Sequence, residues 1–243
     1  MTNSKSTTTA PINEVFCSYQ GEGPFWGQPQ IFVRFAGCNL RCNYCDTAYS
    51  QKISSKTKQY TIEKLLTKIR KFHFPLSTSH IVSITGGEPL LHIDFLKVLL
   101  PALKKSGFSI YLETNGTLPQ SLKQIIKLCD TVSMDFKFPS ECGKVLWNEH
   151  KKFLKTANLD SRFCGNDKLF VKCVITNKTK LNEVIKSAQL IKSISKNIPL
   201  VLQPSIDKNP AKIEKLRQYF DAASKILPNV SVLPQLHKVF NIR

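Results

Sequence analysis

Three cysteines stand close together in the run GCNLRCNYC, as Cys38, Cys42 and Cys45. Their spacing is C-x3-C-x2-C, and Tyr44 comes directly before the last of them. Three thiolates can hold three irons of a four-iron cluster and leave the fourth iron open to a substrate or cofactor. A structural metal site normally completes its shell with a fourth protein ligand, which this loop does not offer. On spacing alone, zinc remains an alternative.

A second motif, Gly86-Gly87-Glu88-Pro89, ends the β-branched run HIVSIT at residues 80–85. Paired glycines let the backbone approach a ligand closely, and Pro89 stops the strand from continuing. Glu88 offers a carboxylate that can accept a charge-assisted hydrogen bond from a ligand ammonium group. Taken alone, such a tetrapeptide is most often a plain turn.

The rest of the chain alternates between strands and helices. Predicted strands cover 30–36, 80–85, 108–114, 130–136, 168–176, 198–204 and 230–234. Predicted helices cover 61–72, 93–106, 119–128, 145–156, 180–194 and 211–226. This alternation predicts a parallel sheet covered by helices, with the active site at the carboxyl ends of the strands. Both motifs, and the polar residues Glu113, Asn115, Ser133, Asp135, Lys137 and Gln203, come where predicted strands end, which predicts one pocket.

Length and composition suit a single domain of an intracellular enzyme. The 243 residues are enough for one substantial core. We expect residues 1–11 to form a disordered tail and residues 12–243 to form the domain, with a surface insertion near 157–167. The polar first residues lack a secretory signal and no apolar run suits a membrane span, so the chain is expected to be cytoplasmic. Five scattered cysteines are then expected to be reduced: Cys17, Cys129, Cys142, Cys164 and Cys173.

The chain is strongly basic, with 35 lysine and arginine residues against 17 acidic ones and a net charge of +18. Such a charge is compatible with a nucleic-acid partner. The lysines are, however, spread along predicted helices, for example Lys64, Lys68 and Lys71, and form no basic run with interleaved aromatic residues. Solvated helix faces account better for this pattern, so no direct nucleic-acid partner is expected.

The two motifs together resemble the radical S-adenosylmethionine (radical SAM) superfamily. In that superfamily SAM chelates the open iron of a [4Fe-4S] cluster, and a GGEP-like turn contacts its amino group. The resemblance implies an α/β fold, a single-domain incomplete (βα) barrel. It also implies that the cluster and SAM are cofactors of this chain.

The flanking residues narrow the resemblance to the 7-carboxy-7-deazaguanine synthase family. Residues 13–47 resemble that family almost throughout, and the likeness continues at TGGEPLLH, ETNG, SMDFK, QPS and LPQLHK. The resemblance implies a lyase that converts 6-carboxy-5,6,7,8-tetrahydropterin to 7-carboxy-7-deazaguanine, by ring contraction with loss of ammonia, on the way to queuosine and other deazapurines. A hydrogen atom of the pterin would be abstracted by a radical made from SAM.

The resemblance also assigns roles to individual residues. Residues implied to bind SAM are Tyr44, Gly87, Glu88, Ser133, Asp135, Lys137, Gln203, Pro204, Ser205 and Ile206. Residues implied to bind the substrate are Tyr19, Gln20, Gly21, Glu22, Arg34, Thr85 and His237. Arg34 offers a planar fork that suits the substrate carboxylate. Thr47 is implied to contact Mg2+, an ion that prefers oxygen ligands.

Each of these roles has a plainer alternative. Asn115-Gly116 is also a common turn dipeptide, and Lys137 could be a solvated surface lysine. Glu22 could be an exposed acid and His237 a packed histidine near the carboxyl end of the chain. Thr47 could simply cap a helix.

The resemblance further implies a homodimer and an electron donor such as flavodoxin or ferredoxin. Two other functions stay open on the motifs alone. One is a different radical SAM protein, such as an enzyme that activates a glycyl-radical partner. The other is a zinc-binding nucleic-acid module, which would need a second ligand pair that the sequence lacks.

Overall fold

Seven of the nine strands in the described part of the chain run parallel and lie side by side in chain order. The computed structural model describes residues 8–72, 80–163, 168–206, 210–240 and 242. The strands are β1 (Thr9–Tyr19), β2 (Pro29–Phe35), β3 (Lys58–Thr61), β4 (Ile81–Gly86), β5 (Ser109–Thr114), β6 (Thr131–Phe136), β7 (Leu169–Ile175), β8 (Leu200–Pro204) and β9 (Val230–Val232). Their order is β3-β1-β2-β4-β5-β6-β7-β8-β9, with β3 and β9 at opposite edges. The sheet does not close, so the predicted incomplete (βα) barrel is confirmed.

Six helices of the described chain cover one face of the sheet and lie within a few residues of their predicted positions. In chain order the helices are α1 (Ile62–Arg70), α2 (Ile93–Lys105), α3 (Pro119–Ile125), α4 (Pro139–Cys142), α5 (Trp147–Asn158), α6 (Leu181–Lys192), α7 (Ile213–Ser224) and α8 (Leu236–Val239). The two four-residue helices, α4 and α8, were not predicted. Helix α1 is typical: the Thr61 side chain caps it by accepting from the Lys64 amide, and Leu65 and Ile69, one turn apart, are fully buried. Within the described residues, no helix has the length and apolar character of a membrane span.

Two antiparallel strands, β1 and β3, were not predicted. Strand β1 pairs with β2 through an irregular register between Ile12 and Glu14, and with β3 from Thr9 onward. The expected disordered tail is therefore wrong from Thr9, because Ala10 is fully buried in the sheet; residues 1–7 lie outside the described residues. Pro11 and the irregular register hide the alternation that would have marked β1 as a strand.

The expected surface insertion near 157–167 is also wrong in its first half. Helix α5 continues to Asn158, and a short 3-10 turn spans Ser161–Phe163. The side chains of Ala157 and Phe163 are buried in the main hydrophobic core, so this segment closes one end of the helix layer. Residues 164–167, which include Cys164, lie outside the described residues.

The parallel strands have two different faces. Alternate residues, such as Val33, Ile84, Leu112, Met134 and Val171, belong to the core between sheet and helices. The residues between them point to the opposite, inner face, because successive side chains of a strand alternate. At the carboxyl ends of the strands that inner row is polar: Arg34, Thr85, Glu113, Asp135, Lys172 and Gln203. Register places Arg34 beside Thr85, and Asp135 beside Lys172.

The loops that follow β2 and β4 are packed against each other through backbone. The amide of Gly87 donates to the carbonyl of Phe35 at 3.0 Å, and the amide of Glu88 donates to the carbonyl of Gly37 at 2.8 Å. A Cβ atom added to Gly87 would lie 2.1 Å from the Gly37 oxygen, and one added to Gly86 would lie 2.2 Å from the Phe35 oxygen. The two glycines therefore permit the close approach that sets the cysteine loop against the GGEP turn.

Glu88 ties the same turn to the end of β5. Its side chain is fully buried. One carboxylate oxygen accepts from the Leu90 amide at 3.0 Å and from the Thr114 hydroxyl at 2.9 Å, and the other accepts from the Asn115 amide at 2.7 Å. Burial raises the pKa of this carboxyl from 4.5 to about 7, although the amide donors and the hydroxyl partly oppose the shift.

Replacement of Gly87 by alanine should destabilise the protein more than replacement of Gly107. The Cβ that Gly87→Ala introduces meets a backbone oxygen, and we expect a loss of about 3 kcal/mol in the free energy of unfolding. Gly107→Ala is the control, because a Cβ there meets open space and only the positive φ of 83° is unfavourable, at about 1 kcal/mol. Urea unfolding of both variants gives the two values. Equal losses would contradict the tight contact.

Glu88 should titrate near neutral pH. Because its folded-state pKa of about 7 lies above the ordinary 4.5, the stability that its protonated form contributes is complete below about pH 4.5 and lost as the pH rises through 7. Infrared difference spectra between pH 6 and pH 8 should show the carbonyl band of a protonated carboxylic acid disappearing. The band should be absent from Glu88→Gln, which should also show a weaker fall in unfolding free energy over the same range. An unchanged band in that variant would assign the titration to another group.

Candidate active site

A cavity of about 370 Å³ opens at the carboxyl ends of the parallel strands. Its volume is in the range of ligand-binding clefts. The predicted site residues that line it are Tyr19, Gln20, Gly21, Glu22, Arg34, Cys38, Cys42, Tyr44, Cys45, Thr47, Thr85, Gly87, Asp135, Lys137, Ser205 and His237. The structure thus brings most of the candidates into the single pocket that the strand ends predicted.

Five predicted cofactor residues, Glu88, Ser133, Gln203, Pro204 and Ile206, do not line this cavity. Glu88 is engaged in holding the GGEP turn, as described above. Ser133 and Gln203 are buried, and the Gln203 amide donates to Glu22 at 2.8 Å. The Ile206 side chain is substantially exposed, at 40%. In the structure as it stands, these residues support or flank the wall instead of forming its surface.

The three thiols of the cysteine loop lie on one side of the cavity. Cys38 accepts from the Leu40 amide at 3.4 Å and from the Asn115 side-chain amide at 3.9 Å. Burial raises the pKa of Cys38, and that of Cys42 to about 11, so these thiols hold their protons until a metal displaces them.

A second group of potential metal ligands lines the same cavity. The ligand atoms of Glu22, Asp46 and His237 all lie within 4.8 Å of one another.

The side of the cavity next to the cysteine loop carries a partly buried ion pair beside an aromatic ring. Lys137 Nζ lies 2.7 Å from Asp135 Oδ2 and 5.3 Å from the centre of the Tyr44 ring. Burial alone would lower the pKa of Lys137, but Asp135 and Tyr44 hold it well above its usual range. For the phenol of Tyr44, burial has the opposite effect: it raises the pKa well above its usual range, so Tyr44 stays neutral. Lys137 is therefore a paired, partly buried cation, and the solvated alternative is wrong.

Glu22 stands at the centre of the opposite wall. Its carboxylate accepts from Lys172, from Gln203 Nε2 at 2.8 Å and from Gln235 Nε2 at 2.9 Å. Burial alone would raise its pKa, but Lys172, His237 and Gln235 overcome that effect and hold the pKa well below its usual range. Glu22 is an ionised, oriented acceptor and not the exposed acid of the alternative interpretation.

A second carboxylate, Glu113, orders the residues next to Glu22. It accepts from Gln20 Nε2 at 2.8 Å and from the Thr85 hydroxyl at 2.7 Å. The other end of the Gln20 side chain accepts from the Glu22 backbone amide at 3.1 Å. Strands β4 and β5 and the loop at residues 20–28 (the Gly21 loop) are thereby joined in one hydrogen-bonded wall.

Arg34 lies on the same wall with part of its guanidinium group available. Its Nε donates to Glu14 at 3.1 Å, and the group lies 5.6 Å from the centre of the Phe16 ring. Tyr49 donates to the same Glu14 oxygen at 2.8 Å. Within the described ranges, the two terminal nitrogens of Arg34 have no hydrogen-bond partner, so the planar fork can receive a ligand carboxylate.

The segment around α8 closes one side of the cavity over the Gly21 loop. The Leu236 amide donates to the Gly21 carbonyl at 2.9 Å, and a Cβ on Gly21 would lie 2.4 Å from His237 Nδ1. His237 Nε2 lies 3.4 Å from Asp46 Oδ2. Burial alone would raise the pKa of Asp46, but the hydrogen bond and charge of His237 lower it. His237 is therefore placed in the pocket and not in a separate packed tail.

Thr47 lies between this acidic cluster and the cysteines. Its Oγ1 is 3.8 Å from Cys45 Sγ, and it makes no side-chain capping bond to the short 3-10 helix that follows. The capping alternative is therefore not observed. The hydroxyl of Thr47 and the carboxylate of Asp46 give the cavity an oxygen-rich corner, which is the donor chemistry that Mg2+ prefers.

The sequence interpretation missed some members of the site. Lys172, Glu14, Asp46, Tyr49 and Gln235 line the cavity without having been proposed as site residues, and Glu113 was noted only for its place at a strand end. Lys172 carries a signal that could have been used: it is the one charged residue in the otherwise apolar strand LFVKCVI. A buried charge in such a strand requires a partner. Gln235 stands within the quoted run LPQLHK, but its contact with Glu22 is visible only in three dimensions.

Comparison with known proteins agrees with this geometry. The radical SAM superfamily model matches residues 32–162. The 7-carboxy-7-deazaguanine synthase of Geobacter sulfurreducens is 33% identical over 251 aligned positions, which cover 94% of this chain and 96% of that protein. That of Archaeoglobus fulgidus is 37% identical over 248 positions, covering 96% and 99%. The crystal structure of QueE from Escherichia coli matches with a TM-score of 0.62 and 25% identity, over 92% of this chain and 93% of that one. The chain therefore belongs to the 7-carboxy-7-deazaguanine synthase family of radical SAM enzymes.

Proposed function

We propose that this chain is a carbon–nitrogen lyase that converts 6-carboxy-5,6,7,8-tetrahydropterin to 7-carboxy-7-deazaguanine, by ring contraction with loss of ammonia, in queuosine and deazapurine biosynthesis. The observation that carries the proposal is the shared cavity: a three-thiol loop on one side faces the ionised Glu22 and the Arg34 fork on the other. A zinc-binding nucleic-acid module would have no use for this second wall, and the synthase relatives favour this activity over another radical SAM reaction.

The residues of the cofactor side fit the [4Fe-4S] cluster and SAM. Cys38, Cys42 and Cys45 would ligate the cluster, with the Leu40 and Asn115 amides directed at the Cys38 sulfur. Asp135, Lys137 and the backbone at Gly87 would hold SAM against it, and Tyr44 would pack on the cofactor. When bound, the pair supplies a 5′-deoxyadenosyl radical for hydrogen abstraction. The protein itself contributes orientation and exclusion of water.

The opposite wall fits a flat pterin that carries one carboxylate. The carboxylate would bind the terminal nitrogens of Arg34. Glu22, held ionised, would accept from the amino edge of the ring, and Gln20, Tyr19, Thr85 and His237 would complete the polar surround. Because these groups are already hydrogen-bonded into one wall, little reorganisation is needed when the substrate enters.

Thr47 would hold Mg2+ in the oxygen-rich corner of the cavity, with the substrate carboxylate as a further oxygen donor. Thr47 supplies one hydroxyl, and the substrate and water would supply the remaining oxygens, as is usual for this ion. Mg2+ in this position would neutralise charge on the substrate carboxylate beside Asp46.

The assembly and its partners are part of the same proposal. The enzyme would act as a cytoplasmic homodimer and take single electrons from a carrier such as flavodoxin or ferredoxin. The support for these points is the resemblance to the synthase family.

The function is tested by an anaerobic assay of the iron-reconstituted protein with SAM, a reductant, Mg2+ and the carboxypterin. Mass spectrometry should detect 7-carboxy-7-deazaguanine and 5′-deoxyadenosine, and omission of Mg2+ should reduce the yield. Cys45→Ala should lose both products together with the iron and sulfide of the cluster. Formation of 5′-deoxyadenosine without the deazaguanine would show that the substrate assignment is wrong.

Arg34→Ala should weaken pterin binding while SAM binding is retained. Loss of a charge-assisted contact of about 1.5–3 kcal/mol predicts a rise in KM of roughly 10- to 100-fold with a smaller change in kcat. Arg217→Ala, at an exposed arginine on α7, is the matched control and should behave as the parent protein. An unchanged KM in Arg34→Ala would remove Arg34 from the substrate site.

A further inference from the structure

Lys172 is a charged residue in the interior of the sheet. Every residue of β7 is buried, and Lys172 itself is only 5% exposed. Its neighbours on the inner face of the same strand are the apolar side chains of Phe170 and Val174. An ammonium group in this position is tolerated only if opposite charges lie against it, because desolvation of an unpaired ion costs several kcal/mol.

Two carboxylates from different parts of the chain supply those charges. Lys172 Nζ pairs with Glu22 from the loop after β1, and it lies 3.2 Å from Asp135 Oδ1 on β6. Burial alone would lower the pKa of Lys172, but Asp135, Glu22 and Glu113 raise it above its usual range, even though the nearby Lys137 opposes them. Lys172 therefore stays a cation shared between two anions.

The same chain of charges continues into the cofactor side. The other oxygen of Asp135 lies 2.7 Å from Lys137 Nζ, and Lys137 lies over the ring of Tyr44. The order Glu22, Lys172, Asp135, Lys137 alternates in sign without interruption. Its first member belongs to the wall assigned to the pterin, and its last two belong to the wall assigned to SAM.

We propose that Lys172 is a positioning residue that serves both ligands, holding Glu22 for the pterin and Asp135 for SAM through one shared ion-pair chain. This inference rests on the proposed function. Without the cation, Glu22 and Asp135 face each other as like charges in a buried site, and both turn away from their ligand-binding orientations. A residue confined to one wall, such as Arg34, affects one ligand only.

Equilibrium binding measurements test the pterin wall and the SAM wall independently. Dissociation constants for SAM and for the carboxypterin are measured by anaerobic titration calorimetry on the reconstituted enzyme without reductant, so that no turnover occurs. Lys172→Met should raise the dissociation constants of both ligands by at least about tenfold. Lys172→Arg, which keeps the charge in a longer, planar group, should raise both constants by less. Lys178→Met, at an exposed lysine just beyond the same strand, should leave both constants unchanged.

A second substitution distinguishes positioning from general damage to the fold. In the parent protein, Asp135→Asn should leave the pterin constant nearly unchanged. In the Lys172→Met background it removes the like charge that faces Glu22, and pterin affinity should rise by at least about fivefold. A merely structural role for Lys172 predicts no such recovery from a change made on the cofactor wall.

Several results would overturn the inference. The inference is wrong if Lys172→Met and Lys172→Arg both bind the two ligands as tightly as the parent protein. It is also wrong if Lys172→Met binds only one of the two ligands more weakly. The same effect of Asp135→Asn in both backgrounds would show that the two carboxylates do not interact through Lys172. If the parent protein binds SAM and not the pterin, the proposed function is wrong, and so is the claim that Lys172 positions Glu22 for the pterin. The claim that Lys172 positions Asp135 for SAM is then still tested by the SAM affinity of Lys172→Met.

Discussion

The site depends on one electrostatic constraint: each charge buried on the inner face of the sheet lies against an opposite charge or a set of hydrogen-bond donors. Lys172 lies between Glu22 and Asp135, and Lys137 takes the second oxygen of Asp135. Glu113 forms no salt bridge within the described residues, but it receives the Gln20 amide and the Thr85 hydroxyl. Because an unpaired buried charge is so costly, these pairs fix the side chains in orientation before any ligand arrives.

Backbone contacts impose a second constraint, which brings the cysteine loop to this charged wall. Gly87 lies against the Gly37 carbonyl at a distance that excludes any side chain, and Glu88 joins the same turn to the Asn115 amide. Three loops from three neighbouring strands thus become one rigid surface. The family motif GGEP works here as much through packing as through any contact with a cofactor.

The fold shows why some elements were predictable and others were not. Parallel strands such as β7 are buried on both faces, rich in apolar residues and bounded by turns, so β-branched runs identify them. Strand β1 carries Pro11 and an irregular register, and β3 has only four residues, so neither shows a clear period. The expected tail and insertion were wrong for a related reason, since the burial of Ala10 and Phe163 depends on distant elements that no local pattern reveals.

The sequence by itself determined the cysteine spacing, the GGEP turn, the alternation of strands and helices and the gathering of polar residues at strand ends, because each is a local property of the chain. Resemblance then added the family and its expected ligands. Only the tertiary structure decided that Glu88 and Gln203 face the protein, that Lys137 is paired and partly buried, and that Lys172 joins two walls. Each of these features is a contact between residues that are distant in the sequence, such as Glu22 and Lys172. Such long-range contacts are set by the packing of the whole sheet, which no local pattern reveals.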